Sequence, residues 1–336
     1  MNKSHNFWLN TWYGGAAPWA YLLLPLSWLF RIISLLRKFY LVTFAQQSLP
    51  VPVIVVGNIS VGGTGKTPLL IALVQYLQQR GYKPGVVSRG YGGTAPHYPY
   101  AIDTASTANE AGDEPLLIFN ATQCQVCVAP DRVAAAELLI EHGCNIILSD
   151  DGLQHYRLGR DMEIAVIDGV RLFGNRRCLP AGPLREPVSR LRSVDLLVVN
   201  NPQSPQPLKY PSYAMQVAPA HWRHLRSQRL IPLDQLTLEK NFHALAGIGN
   251  PQRFYHTLES MSLSFQPHSF ADHHQFKPAD LAFAGESPLV MTEKDAVKCS
   301  AFAGDHWYSL VVKAQLPESF WQTLQQKLDL LQDLHQ

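Results

Sequence analysis

Residues 52–67 constrain what this chain can fold into more than any other stretch. Pro-Val-Ile-Val-Val at 52–56 is a short β-branched run and reads as a buried strand. It leads into Gly57-Asn58-Ile59-Ser60-Val61-Gly62-Gly63-Thr64-Gly65-Lys66-Thr67, after which residues 69–79 read as a helix ending at Gly81. Strand, glycine-rich loop, Gly-Lys-Thr and helix, in that order, make a nest of backbone N–H groups that holds phosphate. Ser60, Gly62, Gly63, Thr64, Gly65, Lys66 and Thr67 would form that cradle. Lys66 would reach the β- and γ-phosphates, and the Thr67 hydroxyl would bind Mg²⁺. Ser60 stands where the common pattern has glycine. Its backbone angles must be unstrained, or the loop differs in shape.

A phosphate loop needs a carboxylate at the end of a neighbouring strand to hold magnesium. Residues 145–151 supply it, an apolar run closing on Asp150 and Asp151. The preceding helix at 132–141 and the strand at 126–128 make this a βαβ unit, whose carboxyl ends meet where the loop lies. Asp113-Glu114-Pro115 is a second acid pair. Asp113 reads either as the cap of a helix or as a carboxylate able to take a proton from an acceptor hydroxyl. Asp272-His273-His274 is either a metal site or a carboxylate–histidine pair, and the lack of further ligands at suitable spacing argues against zinc. Cys124 and Cys127 read as packing residues. Thr292-Glu293-Lys294-Asp295 departs from the guanine-reading spacing. Arg185, with Arg190 and Arg192, could hold an anion or simply be solvated.

Eight basic residues and no acid precede Asp103, although the whole chain carries a net charge of only +2. This third of the chain therefore faces something anionic: phosphate, an acidic membrane or nucleic acid. It is too apolar and too thin in Lys/Arg clusters for nucleic acid. Residues 16–36 carry one charge, Arg31. From 26 onward a helix is expected, with Ser27, Arg31, Ser34 and Lys38 on one face and Trp28, Leu29, Ile32, Ile33, Leu36 and Phe39 opposite. That pattern suits a membrane interface, and flanking basic residues point to a cytoplasmic anionic leaflet. The competing reading is a buried core helix. The 46% hydrophobic and 16% charged composition excludes a disordered or fibrous chain, and five cysteines make no disulfide framework.

Together these stretches resemble one family: Val-Gly-Asn-Ile-Ser-Val-Gly-Gly-Thr-Gly-Lys-Thr-Pro (56–68), Ser-Arg-Gly-Tyr-Gly (88–92), Gly-Asp-Glu-Pro (112–115), Ser-Asp-Asp-Gly-Leu-Gln-His (149–155), Leu-Pro-Ala-Gly-Pro-Leu-Arg-Glu-Pro (179–187), Phe-Ala-Asp-His-His (270–274) and Thr-Glu-Lys-Asp-Ala-Val-Lys (292–298). The family is that of the tetraacyldisaccharide 4′-kinases of the Gram-negative lipid A pathway, and the likeness spans residues 12–300. It implies transfer of the ATP γ-phosphoryl group, with Mg²⁺, to the 4′-hydroxyl of a tetraacylated glucosamine disaccharide 1-phosphate at the cytoplasmic face of the inner membrane. It also implies that Asp113 is the base supported by His273, with Asp150 and Asp151 near metal and transferred phosphate, and Arg89, Gln154 and Arg185 toward the lipid. No obligatory protein partner is inferred. Ser60 belongs to that family's own version of the loop.

The expected fold is α/β: a mainly parallel sheet flanked by helices, with a smaller second α/β lobe and an N-terminal membrane-associated helix. The expected parts are residues 1–44, a nucleotide-binding core at 45–200, and a second lobe at 201–336 that begins near the proline-rich stretch 201–211. Its strands are expected at 242–246, 289–292 and 308–312, and a helix at 318–334. The alternative function is a membrane-associated NTPase switch that hydrolyses nucleotide without a lipid acceptor.

Overall fold

In the computed structural model the described residues are 8, 11–14, 18–203, 208–236, 238 and 242–335. Residues 16–17 of the apolar segment and 204–207 of the proline-rich junction lie outside that set. Helix α1 (Leu24–Tyr40) is preceded by a 3₁₀ turn and followed by a π-helical turn (Leu41–Ala45). Then come β1 (Val53–Gly57), α2 (Lys66–Gln79), β2 (Pro84–Ser88), β3 (Tyr100–Ala101), α3 (Asp113–Thr122), β4 (Gln125–Val128), α4 (Arg132–Glu141), β5 (Ile146–Asp150), β6 (Met162–Asp168) and β7 (Leu196–Asn200). Helix α2 starts three residues before the expected position. Pro68 is tolerated there because first-turn N–H groups have no helical partner.

β1 is buried along its whole length, as a parallel strand covered on both faces should be. It lies between β5 and β6, both parallel to it, with Val56 level with Asp150 on one side and Ile164 on the other. The phosphate loop and the β5 acids therefore leave the same edge of the sheet. Leu69, Leu70, Leu73 and Leu77 of α2 fill one face of the core, while Val133, Ala136 and Leu139 of α4 fill the other.

β8 (Tyr213–His224) belongs to both halves of the sheet. Its start pairs parallel with β7, and its remainder pairs antiparallel with β13 (Trp307–Gln315). Beyond it lie β9 (Leu230–Pro232), β10 (Phe242–Ala246), α5 (Pro251–Ser260), β11 (Phe265–Ser269), β12 (Leu289–Thr292), α6 (Glu293–Cys299) and then β13. Among the described residues the strands form one continuous sheet, β3-β4-β2-β5-β1-β6-β7-β8-β13-β12-β10-β11, with β9 on the side of β8. The last helix, α7 (Glu318–His335), returns to the first lobe. Its Trp321 stacks on Tyr76 of α2 at 4.5 Å, and Phe320, Leu324 and Leu328 join the core that α2 fills.

Helix α1 turns its polar side inward. Ser27 is buried, donating to Cys178 O (2.7 Å) and accepting from Ala181 N (3.1 Å). The Lys38 ammonium lies 4.7 Å above the Tyr156 ring. Among the described residues, nineteen large apolar side chains are exposed, and thirteen of them fall between Tyr21 and Phe44. So dense a patch is not the scatter normal on soluble surfaces. The buried-core reading of this segment is overturned: Pro18–Ala45 is long and apolar enough to cross a membrane, and its apolar face is uncovered.

Candidate active site

The loop between β1 and α2 is held in shape from several directions. Asn58 Nδ2 donates to Gly62 O and Thr64 Oγ1, both at 3.3 Å. Asn200, at the end of β7, donates to Thr64 O at 2.9 Å, and Arg171 donates to Gly63 O. Gly65 has φ +91°, and a Cβ there would run into the Asn200 amide, so glycine is required on both counts. Ser60 lies outside the left-handed region and is buried, its strand-like segment bridging to Leu184. The absent glycine thus costs no strain. Gly63 meets nothing within 4 Å, which leaves its side of the loop open.

Lys66 begins α2 and points at the β5 acids, with Nζ 3.4 Å from Asp151 Oδ1. Arg185 Nη1 donates to Asp151 Oδ2 at 2.8 Å. Asp151 itself has φ +47°, a conformation that side chains seldom adopt outside constrained sites. Burial would raise its pKa, but Lys66 and Arg185 outweigh burial and hold the carboxyl far below the usual range. Asp150 behaves oppositely: burial, then the nearby Glu114 carboxylate, push it up to about 6 despite Lys66. Ser88 donates to Asp150 Oδ2 at 3.2 Å, while Asp150 Oδ1 and Asp151 Oδ1 are buried and accept no hydrogen bond. Asp150 Oδ1, with no partner, and Asp151 Oδ1, met only by Lys66, are hard carboxylate donors of the kind that Mg²⁺ takes. Thr67 follows Lys66 in the first turn. Among the described residues no cluster of three His, Cys, Asp or Glu side chains offers a metal site of another kind.

The second acid pair faces the second lobe. Asp113 is not a cap. The N-cap of α3 is Gly112, and Asp113 Oδ1 merely accepts from the adjacent Glu114 N–H. The capping reading is corrected on that geometry. Asp113 is 4% exposed, and its Oδ2 lies 3.0 Å from His273 Nδ1 and 3.8 Å from Lys294 Nζ. The contact with His273 is oblique: neither atom makes an aligned hydrogen bond. Burial would raise the Asp113 pKa, yet His273 and Lys294 bring it below normal. His273 is raised, chiefly by Asp113, against burial and Lys294. His273, like Asp151, sits at positive φ (+58°).

The remaining expected residues ring these two centres. Gln154 donates to Asn58 O (3.1 Å) and Glu186 Oε2 (2.7 Å), and its carbonyl accepts from Arg37 of α1 at 3.3 Å. Arg89 is exposed at the end of β2, in the turn that packs Tyr91 O against Gly112. Arg190 is neither an anion holder nor solvated. It is buried and makes two bonds to Glu163, at 2.6 and 2.7 Å. Cys124 and Cys127 are buried free thiols pushed up to about 11 and about 12 by burial, consistent with packing.

Five residues around the site escaped the sequence. Asp168 ends β6 and binds Arg171 and, from α5 of the second lobe, Arg253, each at 3.1 Å. Asn200 ends β7 as Asp150 ends β5. An apolar run closing on a polar residue was the available signal for both Asp168 and Asn200. Lys294 stands in the 292–298 stretch that the family likeness includes, but its contacts had no local signal, since Glu114 is 180 residues away.

The family description tetraacyldisaccharide-1-P 4′-kinase matches residues 19–329. The tetraacyldisaccharide 4′-kinase of Nitrosococcus oceani is 50% identical over 315 residues, covering 93% of this chain and 91% of that protein. The corresponding protein of Methylobacillus flagellatus is 44% identical over 338 residues, 99% of each. The crystal structure of "apo" form LpxK from Aquifex aeolicus in complex with ATP is 27% identical, covers 93% of this chain and 99% of its own, and superposes with a TM-score of 0.77. With the phosphate loop, the β5 acids and the Asp113–His273 contact all lying within the matched span, this chain belongs to the tetraacyldisaccharide-1-P 4′-kinase family.

Proposed function

We propose that the chain transfers the γ-phosphoryl group of ATP to the 4′-hydroxyl of a tetraacyl glucosamine disaccharide 1-phosphate, a step of lipid A synthesis. Family membership supports the overall reaction. The observation that carries the chemistry is the meeting of Asp113 and His273 from opposite lobes, 3.0 Å apart.

The backbone amides of 60–67 cradle the phosphates, and Lys66 neutralises charge on the β- and γ-groups. Thr67, Asp150 and Asp151 would hold Mg²⁺, which when bound neutralises the phosphate oxygens. Arg185, braced on Asp151 and near Gln154, and Arg89 line the approach of the lipid's sugar and phosphate. Asp113 accepts the proton of the acceptor hydroxyl. That oxygen forms its bond to the γ-phosphorus as the bond to the ADP oxygen breaks, and the electron pair leaves with ADP. His273 keeps Asp113 ionised and oriented. Positioning and charge neutralisation do most of the work in such transfers.

Residues 1–44 act as the membrane-associated part, with the apolar face of α1 in the cytoplasmic leaflet of the inner membrane and Arg31, Arg37 and Lys38 near its anionic headgroups. Residues 45–200 form the nucleotide core and 201–336 the second lobe, whose last helix docks back on the core. The test is incubation with labelled ATP and the lipid disaccharide. Label recovered in the lipid supports the kinase. Label recovered only as free phosphate, with or without lipid, overturns it in favour of a hydrolytic switch.

A further inference from the structure

We propose that Lys294 is a positioning residue for phosphoryl transfer: it reaches across the cleft and, together with His273, fixes the Asp113 carboxylate in the ionised, aimed state that accepts the hydroxyl proton. The inference rests on the reading of Asp113 as base.

The residues around Lys294 spend their polar atoms within the second lobe. Thr292 Oγ1 caps α6 by accepting from Asp295 N (3.1 Å). Glu293 Oε2 accepts from Val312 N (3.2 Å). Asp295 is fully buried. It accepts from Gly247 N (2.9 Å) and Thr292 Oγ1 (2.6 Å) and pairs with Lys298 (2.8 Å). The first turn of α6 is thereby locked to β10, β12 and β13. From this mount Lys294 sends its ammonium out of its own lobe, 3.0 Å from Glu114, 3.5 Å from Asp272 and 3.8 Å from Asp113.

The contacts close a ring. His273 touches Asp113 through Nδ1 and lies 3.8 Å from Asp272 through Nε2, while Lys294 touches both of those carboxylates. The imidazole thus faces a carboxylate at each end, and those two acids share one ammonium. Lys294 is only 17% exposed. Burial alone would lower its pKa, but Glu114, Asp113 and Asp272 more than reverse this, so it stays charged. The ionisable groups acting on the Asp113 carboxylate are His273, Lys294 and Lys298, with Glu114 adjacent in sequence. Removing Lys294 leaves Asp113 and Asp272 on one histidine with Glu114 alongside and no ammonium among them, and burial then favours a protonated Asp113.

The experiment measures the pH dependence of kcat and kcat/KM for the lipid acceptor in the full chain and in Lys294→Met and Lys294→Arg. An opposite charge within about 4–6 Å shifts a carboxyl by one unit or more, so Lys294→Met should move the acid limb upward by about one pH unit and cost about tenfold in rate on that limb. The KM for ATP should hold, and Lys294→Arg should recover most of the rate and the wild-type limb. If Lys294→Met melts below the assay temperature, Lys294→Gln, which keeps a donor without the charge, carries the same test. An acid limb that does not move, or an arginine variant no better than methionine, overturns the proposal. Asp113→Asn separates the two readings. Normal turnover in that variant removes the base assignment itself, whereas its loss beside an unmoved limb in Lys294→Met removes only the role of Lys294.

Discussion

Replacing Ile33 and Leu36 together by serine tests what the uncovered face of α1 is for. Ile33 is 55% exposed and Leu36 63%, so each has a little over half its surface left to bury. Full burial of such a side chain is worth about 1.5–3 kcal/mol, so moving the remaining surface into a bilayer is worth about 1–1.5 kcal/mol each, and the pair about 2–3 kcal/mol. That corresponds to about 30- to 150-fold in partition onto vesicles. Neither side chain belongs to a core cluster, unlike Phe30, which rests on the core beneath, so thermal stability should change little. The assay is co-sedimentation with vesicles containing anionic lipid, with a melting curve of the same samples. Added salt should weaken binding further by screening Arg31 and Arg37. A core helix would respond in reverse, since a buried Leu truncation costs about 2–5 kcal/mol. Unchanged sedimentation with a fall in Tm of more than about 5 °C would refute the membrane argument.

Asp113→Asn keeps the acceptor for Glu114 N–H but removes the base, so kcat should fall about 10²–10⁴-fold with calorimetric ATP affinity nearly intact. The attraction between Asp113, whose pKa is lowered, and His273, whose pKa is raised, is lost as pH falls through the first or rises through the second. The Tm difference between wild type and Asp113→Asn should therefore peak between them, and a difference flat across that window contradicts the pairing. Lys66→Ala should remove most turnover and release Asp151 toward ordinary carboxylate behaviour, since Lys66 leads the charges that depress it; near-normal turnover would contradict the loop assignment. Gly65→Ala forces a side chain into left-handed backbone against Asn200, a strain of about 1–2 kcal/mol before the clash is counted. Calorimetry should show ATP affinity down at least about tenfold, and unchanged affinity would mean that the loop does not hold the nucleotide.

The strand–loop–helix arrangement and its meeting with the β5 acids were legible because their determinants are contiguous. Glycine, lysine and threonine positions in the loop, and the apolar run ending at Asp150-Asp151, carry their meaning within a dozen residues. The helix at 132–141 and the strands at 242–246 and 289–292 were legible for the same reason. What the sequence hid is long-range. The dual membership of β8 depends on pairing with β13 nearly a hundred residues later. The return of α7 to α2 depends on Trp321 meeting Tyr76. For α1 the sequence separated a polar from an apolar face but not which one met the protein, because either could close a core. The capping reading of Asp113 fell only when Gly112 was seen to occupy the cap position, which leaves its base role as the proposal.

The distribution of charge across the cleft explains why such an enzyme need not waste ATP. Lys66, Asp150, Asp151 and the loop amides all lie within residues 57–151, so on the proposed roles they would grip nucleotide without help from residues 201–336. The proton acceptor cannot be completed there. Asp113 needs His273 and Lys294 from the second lobe, and a separate crossing pairs Arg253 with Asp168 behind the loop. The Asp113–His273 contact is already made at 3.0 Å but is oblique, so on the proposed mechanism an acceptor hydroxyl held in place, rather than a passing water, would have to bring it into line. Binding energy from the sugar and phosphate of the lipid would then be available to align that contact, which would couple alignment of the proposed base to presence of the acceptor. The coupling predicts that lowering the lipid concentration reduces phosphoryl transfer without a compensating rise in free phosphate, and phosphate release that climbs as lipid is withdrawn would show that the base is preformed.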